Sequence, residues 1–305
     1  MATTFPELTW LAASTPAVAA EVVALADAAA AADGTAPLSE QVVRHLHRPD
    51  DDEARVEHLL ARDAGGALVG YAQLDRSHAA DPVAELVVHP AHRRRGLGGM
   101  LLGRLIERDP ALRVWAHGGH PGAAELAARF GLRRDRELWR MRRSLREPPA
   151  DQALPDGVRI RPFIVGADEA ELLRVNNAAF AWHPEQGRWT LADVRVREDE
   201  PWFDPEGLLL AVDEADPARV LGFHWTKVHD TGADAPIGEV YVLGVDPGAR
   251  GRRLGPALTL AGLKYLRGRG LNAVMLYVEA DNTAAVRLYR DLGFAPWGVD
   301  VSYRH

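Results

Sequence analysis

Two arginine- and glycine-rich loops constrain this chain more than any other feature. Each is entered from an apolar, strand-like run through Val-x-Pro and left into an apolar-periodic stretch. Val88-His89-Pro90-Ala91-His92-Arg93-Arg94-Arg95-Gly96-Leu97-Gly98 stands opposite Val245-Asp246-Pro247-Gly248-Ala249-Arg250-Gly251-Arg252-Arg253-Leu254-Gly255. Further on, His120 to Leu132 (HPGAAELAARFGL) aligns without a gap with Asn282 to Phe294 (NTAAVRLYRDLGF). Self-similarity over loop and helix alike is the mark of a duplicated folding unit. The 305 residues suffice for two separate cores.

The order of elements can be read twice. In the first half, Ala-rich sequence from Pro16 to Ala32 predicts a helix that stops at Asp33-Gly34, and Ser39 caps a second short helix. Ala67 to Leu74 and Val83 to Val88 read as strands, and Met100 to Glu107 as a helix. In the second half, strands are expected at Val158 to Pro162, Leu208 to Val212, Val220 to Val228 and Glu239 to Val245, with helical spacing over Asp168 to Phe180. Between the halves, REPPADQALPDG (Arg146 to Gly157) has linker composition. The expected domains are therefore residues 1–146 and 158–305, joined by 147–157, each an α/β (α+β) unit with a mixed sheet flanked by helices.

Composition removes several classes of function. A formal charge of -7 argues against a nucleic-acid backbone as the main partner. The basic run from Arg133 to Arg146 lacks a series of aromatic stacking positions and reads as a solvated face, an exposed terminal strand or an interdomain contact. Zero cysteine excludes disulfides, thiolate metal sites and a cysteine acyl-enzyme. His183-Pro184-Glu185 resembles the H-x-E of zinc deaminases, but that centre needs cysteine ligands, so no metal site is expected. No apolar run reaches bilayer-spanning length and MATTFPELTW is not a signal peptide, which leads us to expect a cytoplasmic protein.

A strand running into R-x-x-G-x-G and then a helix aims several backbone N–H groups at one point, at the positive end of a helix dipole. That arrangement suits a pyrophosphate. The bland alternative is a solvated turn, and it weakens when two such loops follow matched strands. Neither loop is a Walker A sequence or a G-x-G-x-x-G dinucleotide fingerprint.

The loops resemble the pyrophosphate loop of the GNAT acetyltransferase family, [QR]-x-x-G-x-[GA] after V-x-P. Arg93, Gly96 and Gly98 fit it fully; in the second loop Arg250 and Gly255 fit, but Arg253 stands where the first Gly is usual. The family's fourth-helix pattern, N-x-x-A-x-x-x-Y-x-x-x-G-F, is matched by Asn282, Ala285, Tyr289, Gly293 and Phe294. The resemblance implies acetyl-CoA as donor. Its contacts would fall on Leu86, Val87, Val88, Arg94, Arg95, Gly96, Leu97, Gly98 and Gly99 in the first half. In the second they would be Leu243, Gly244, Val245, Arg250, Gly251, Arg252, Arg253, Leu254, Gly255, Pro256, Asn282, Thr283, Ala284, Ala285, Val286 and Arg287. In this family the Tyr of that pattern is the usual proton donor to the departing sulfur, a role the resemblance implies for Tyr289. Ala127 takes its place in the first half, and Pro82 takes that of Glu239. We expect the N-terminal half to bind acetyl-CoA without reacting. Taken singly, Glu239 could be a solvated carboxylate and Tyr289 a half-buried helix aromatic; together beside a CoA loop they favour catalysis.

Over nearly its whole length the chain is similar to the mycothiol synthase family, tandem GNAT enzymes that acetylate the cysteinyl amine of a cysteinyl-glucosaminyl-inositol. NNAAFAWHPEQ (Asn176 to Gln186), LGFHWTKVH (Leu221 to His229), EVYVLGV (Glu239 to Val245) and LYVEADN (Leu276 to Asn282) carry the likeness. It implies Glu239 as base, Tyr289 as acid, and Glu40, Glu185, Lys227, Glu239 and Tyr277 as contacts to the acceptor. Ser39-Glu40 also fits ordinary capping of a helix start. The expected partner is that small cysteinyl pseudodisaccharide, with neither nucleic acid nor membrane, and a monomeric chain. The alternatives are a tandem GNAT acting on another amine, such as an aminoglycoside or a protein N-terminus, and a non-catalytic acetyl-CoA sensor.

Overall fold

The computed structural model describes residues 6–47, 55–78, 80–151, 153–182, 186–229 and 235–305. The chain forms two compact units. Unit 1 holds Met1–Trp139, Glu279–Asp281 and Gly298–His305; unit 2 holds Arg140–Val278 and Asn282–Trp297. The division thus falls within a strand rather than in the linker, and the last eight residues of the chain, Gly298–His305, belong to unit 1. From 145 to 157 the described residues form no helix or strand.

Unit 1 runs β1 (Glu7–Leu11), α1 (Pro16–Asp33), α2 (Glu40–His47), β2 (Val56–Arg62), β3 (Leu68–Asp75), β4 (Val83–Val88), α3 (Leu97–Arg108), β5 (Arg113–Ala116), α4 (Pro121–Arg129) and the start of β6 (Arg133–Ser144). Its strands lie in the order β1-β2-β3-β4-β5; only β4 and β5 run parallel. Thr15 caps α1, and Gly34 ends it at φ 70°, a conformation that suits a residue without Cβ. Ser39 Oγ accepts from Val42 N at the start of α2, so both predicted helix boundaries hold. One sheet face packs Leu59, Leu74, Leu101 and Leu105; the other packs Leu60 and Tyr71 against Val22, Leu25, Val42 and Leu46.

Unit 2 runs from the end of β6 through β7 (Val158–Pro162), α5 (Glu169–Ala179), α6 (Leu191–Glu198), β8 (Leu208–Asp213), β9 (Val220–His229), β10 (Ile237–Val245), α7 (Leu254–Gly268), β11 (Ala273–Glu279) and α8 (Thr283–Asp291) to the beginning of β12 (Ala295–Arg304). The order is β7-β8-β9-β10-β11, again with one parallel pair, β10 and β11. β8 and the first part of β9 are buried on both faces, which explains their nearly unbroken apolar run. Trp225, Phe223 and Leu210 pack on one side with Leu172 and Val175 of α5, and Leu221 and Ala211 pack on the other with Leu254 and Leu258 of α7.

Both units are therefore mixed sheets flanked by helices, as expected. Strands β1, β2, β5, β11 and β12 and helix α6 were not foreseen. The basic run is the strand β6, and its arginines are engaged: Arg136 pairs with Glu279 and lies over Trp115, while Arg140 and Arg142 stack on Trp297. Among the described residues no helix is long and apolar enough to cross a membrane.

Candidate active site

The parallel strand pair of each unit opens before it ends. In unit 1, β4 pairs with β3 from Val83 to Val88 but with β5 only from Val83 to Glu85. In unit 2, β10 pairs with β9 as far as Val245 but with β11 only from Gly238 to Val240. A bulge between Val240 and Val242 redirects the strand at that point. Leu86–Val88 and Leu243–Val245, both expected along CoA, thus each have one backbone edge without a strand partner among the described residues. A pantetheine arm, with its amides, can bond such an edge as a further strand would.

At the end of each open strand the loop repeats one backbone path with exchanged residue types. In unit 1, Arg94 has φ 60° and Gly96 φ 88°; at the aligned positions of unit 2, Gly251 has φ 82° and Arg253 φ 58°. Gly96 and Arg253 are the N-caps of α3 and α7. Arg253 therefore does not distort the second loop; it takes the left-handed conformation that glycine takes in the first. Each loop holds one arginine in a region that costs a non-glycine residue about 1–2 kcal/mol. Gly98 and Gly255 lie in the first turn of these helices, where an added Cβ would stand 3.4 Å from Leu126 and 3.5 Å from Leu288. Arg93, the best match to the loop pattern, does not reach for a ligand: its Nε donates to the Val88 carbonyl, and its Nη atoms bind both oxygens of Asp33 at 2.7 Å. It fastens the loop to the end of α1, and the guanidinium holds the Asp33 carboxyl below its usual range.

A cavity of about 670 Å³ lies wholly within unit 1, lined by Leu86 to Val88, by Gly96, Gly98 and Gly99 of the loop, and by Ala127 of α4. At its wall His117 stands 3.2 Å from both Glu85 and Asp300. Burial lowers its affinity for a proton, but pairing with Asp300 and Glu85 outweighs this and lifts its pKa to about 10. Glu85 also accepts from the backbone N of Ser39. Neither Ala127 nor Pro82 offers a titratable group.

Unit 2 does carry such groups. Tyr289 lies on the buried face of α8, 7 % exposed, with its ring edge-to-face against Phe294. Among the described residues its hydroxyl has no hydrogen-bond partner, and burial pushes the phenol pKa well above its ordinary value. Asn282 caps α8 by accepting from Ala285 N, which explains the Asn that opens the motif. Glu239 sits near the start of β10, 6 % exposed, just before the bulge, opposite Lys227 of β9 and Met275 of β11. Its Oε2 lies 2.6 Å from His229 Nε2. Lys227 is buried, its Nζ 5.0 Å from the Trp202 ring and 5.7 Å from that of Tyr241. Arg197 of α6 donates to the Tyr241 hydroxyl. The unit thus places a buried carboxylate beside an ammonium held over aromatic faces, at the foot of an open strand edge. Tyr277, on β11, is 42 % exposed.

Of the other acceptor contacts expected, Glu40 begins α2 of unit 1 and Glu185 lies outside the described residues, as does His183-Pro184. Among the described residues no cluster of three or more His, Asp or Glu is placed to hold a metal. Sequence reasoning passed over His229, Trp202 and Tyr241. A signal was present for His229, which follows Lys227 by two positions and so shares its strand face.

Residues 54–131 match the model of the acetyltransferase (GNAT) domain, and residues 176–294 that of the acetyltransferase (GNAT) family. A solved GCN5-related N-acetyltransferase from Sphaerobacter thermophilus superposes with a TM-score of 0.76 at 26 % identity, covering 99 % of this chain and 96 % of that one. The fold and the two loops thus define a tandem GNAT acyltransferase that uses acetyl-CoA. Mycothiol acetyltransferase of Nocardia farcinica is 57 % identical over 279 residues, 90 % of each chain. That of Stackebrandtia nassauensis is 52 % identical over 292 residues, 94 % of this chain and 95 % of its own. The chain belongs to the mycothiol acetyltransferase family.

Proposed function

We propose that unit 2 transfers the acetyl group of acetyl-CoA to the cysteinyl amine of cysteinyl-glucosaminyl-inositol, completing mycothiol. The observation that carries this is the buried Glu239 at the foot of the open β10 edge, in the same unit as the buried Tyr289. Glu239 takes a proton from the acceptor ammonium. The freed amine attacks the thioester carbonyl, the new C–N bond forms, and the C–S bond breaks as Tyr289 gives its proton to the leaving sulfur; the nitrogen loses its second proton as the amide forms, and one proton from water returns to the phenol. The pantetheine arm lies along Leu243–Val245. The pyrophosphate sits at the N-terminus of α7 within the loop from Arg250 to Pro256, and Asn282 to Arg287 of α8 close on the cofactor. An acceptor rich in hydroxyls suits Lys227 as donor and Glu185 and Tyr277 as further contacts. Unit 1 holds a second acetyl-CoA in its cavity, against Leu86–Val88 and Arg94–Gly99, without turning it over.

The test is release of free CoA from pure protein and acetyl-CoA with a panel of amines: the cysteinyl pseudodisaccharide, an aminoglycoside and a peptide N-terminus. Turnover confined to the first supports the reading. Turnover confined to another amine, or none, overturns it.

A further inference from the structure

The imidazole of His229 is bonded to the group we assign as base, and it is not the only histidine inside the protein. His58 and His224 are also buried, but desolvation drops both to a pKa of about 4, so they are neutral at physiological pH. Their contacts are structural: His58 meets the Tyr71 hydroxyl, and His224 Nδ1 meets the Leu258 carbonyl, its ring lying where any Cβ at position 262 would stand. His229 differs in place. It shares one face of β9 with Lys227, its side chain is about one fifth exposed (20 %) where the side chain alone of Glu239 is 8 % exposed, and it meets Glu239 across the strand pair at 2.6 Å.

A buried base that takes a proton at each turnover must lose it before the next. Glu239 is nearly closed off from water, and its Oε2 is bonded to the Nε2 of a ring that is not. The geometry points to His229 as a positioning residue that turns Glu239 toward the amine with one carboxylate oxygen and drains the proton through the other. The balance is simple. An N–H bond of the ammonium breaks as an O–H bond forms on Glu239. While Glu239 is a carboxylate, the Nε2–H of His229 donates to Oε2. Once the carboxyl is protonated, exchange with water moves the ring proton to Nδ1, the freed Nε2 takes the carboxyl proton as the O–H bond breaks, and the Nδ1 proton leaves to water, restoring the carboxylate and an imidazole with its proton on Nε2. No oxidant or further reactant enters. Lys227 of β9 stands directly opposite Glu239, and Arg197 of α6 bonds to the hydroxyl of Tyr241, two positions along β10. This inference rests on the role proposed for Glu239.

The test compares the parent with His229→Gln, which keeps a polar group against Glu239 but cannot carry a proton, and with His229→Phe, which does neither. For His229→Gln we expect kcat/KM for the amine to fall about tenfold at pH 6.5 and to approach the parent near pH 9, where the amine is already free. Acetyl-CoA KM should not change, added imidazole should restore part of the rate at pH 6.5, and His229→Phe should lose more. In a Glu239→Gln background, His229→Gln should cost nothing further, because it acts through that carboxylate. Independently of turnover, the ring nitrogen resonances of His229 should shift in Glu239→Gln. A His229→Gln profile parallel to the parent at every pH, or ring resonances blind to Glu239→Gln, overturns the inference. A parent that releases no CoA with the pseudodisaccharide overturns the proposed function instead, and the ring resonances still decide the pairing.

Discussion

Replacing Tyr289 by Phe separates chemistry from packing, because the ring stays and only the hydroxyl goes. As the amine displaces CoA, negative charge gathers on sulfur, and a donor aimed there acts mainly in the transition state. Loss of a general acid costs roughly 10²- to 10⁴-fold in rate, or about 2.7–5.4 kcal/mol of barrier. The structure sets the other side of the comparison. The Tyr289 hydroxyl bonds to no described residue, while its ring packs edge-to-face on Phe294. The substitution therefore forfeits no hydrogen bond to a described residue, and stability should change by less than the roughly 1 kcal/mol that one such bond is worth. The phenol must also be protonated to act. Burial raises its pKa, so the active form survives to higher pH than for an exposed tyrosine, and kcat of the parent should show no alkaline fall through about pH 9.5. The assays are single-turnover acetyl transfer from pH 6 to 9.5, acetyl-CoA binding by calorimetry, and thermal unfolding. An unchanged chemical rate would remove Tyr289 from the mechanism, and a large loss of acetyl-CoA affinity would recast it as a binding residue.

Three further outcomes follow from the loops and the unit 1 cavity. Arg253→Gly relieves the residue at φ 58°; after allowing for glycine's larger unfolded entropy, we expect a gain of about 0.5–1 kcal/mol, read as a rise in unfolding temperature, with weaker acetyl-CoA binding. A lower unfolding temperature would contradict the strain. Gly98→Leu pushes a side chain into the unit 1 cavity and should reduce calorimetric acetyl-CoA stoichiometry from two sites to one while turnover persists; a parent with one site, unaltered by the change, would refute the second site. His117→Asn tests the ion pairs with Glu85 and Asp300. Its folded pKa of about 10 lies above the ordinary 6.5, so the stabilisation is complete below pH 6.5 and is lost as pH rises through 10. The gap in unfolding temperature between parent and variant should shrink over that range, and a gap independent of pH would exclude a charged His117.

Local chemistry made much of this protein legible in its sequence. Gly34, Gly96 and Gly251 mark left-handed backbone, Ser39 and Asn282 mark helix starts, and the repeat of loop and helix announced two similar units, because each signal depends on neighbours a few residues away. The carboxylate and the phenol stood out because their aligned partners, Pro82 and Ala127, cannot do their chemistry. The role of Arg253 was not legible, since nothing in its side chain says that its backbone copies Gly96. Tertiary structure decided the rest. Asp300 binds Gly118 N across 182 positions of the chain, and no periodicity reports a contact of that separation. Placing Gly298–His305 in unit 1, where Val301 and Tyr303 pair with β5, likewise depends on which strand edge the chain end finds. The bond between His229 and Glu239 needed the register of β9 on β10, and a slip of one residue would have turned one of the two away. Sequence alone thus supplied the loops, the caps and the groups proposed to react, whose signals are local. Register and long-range packing, set by the sum of many weak contacts, determined which of those groups meet.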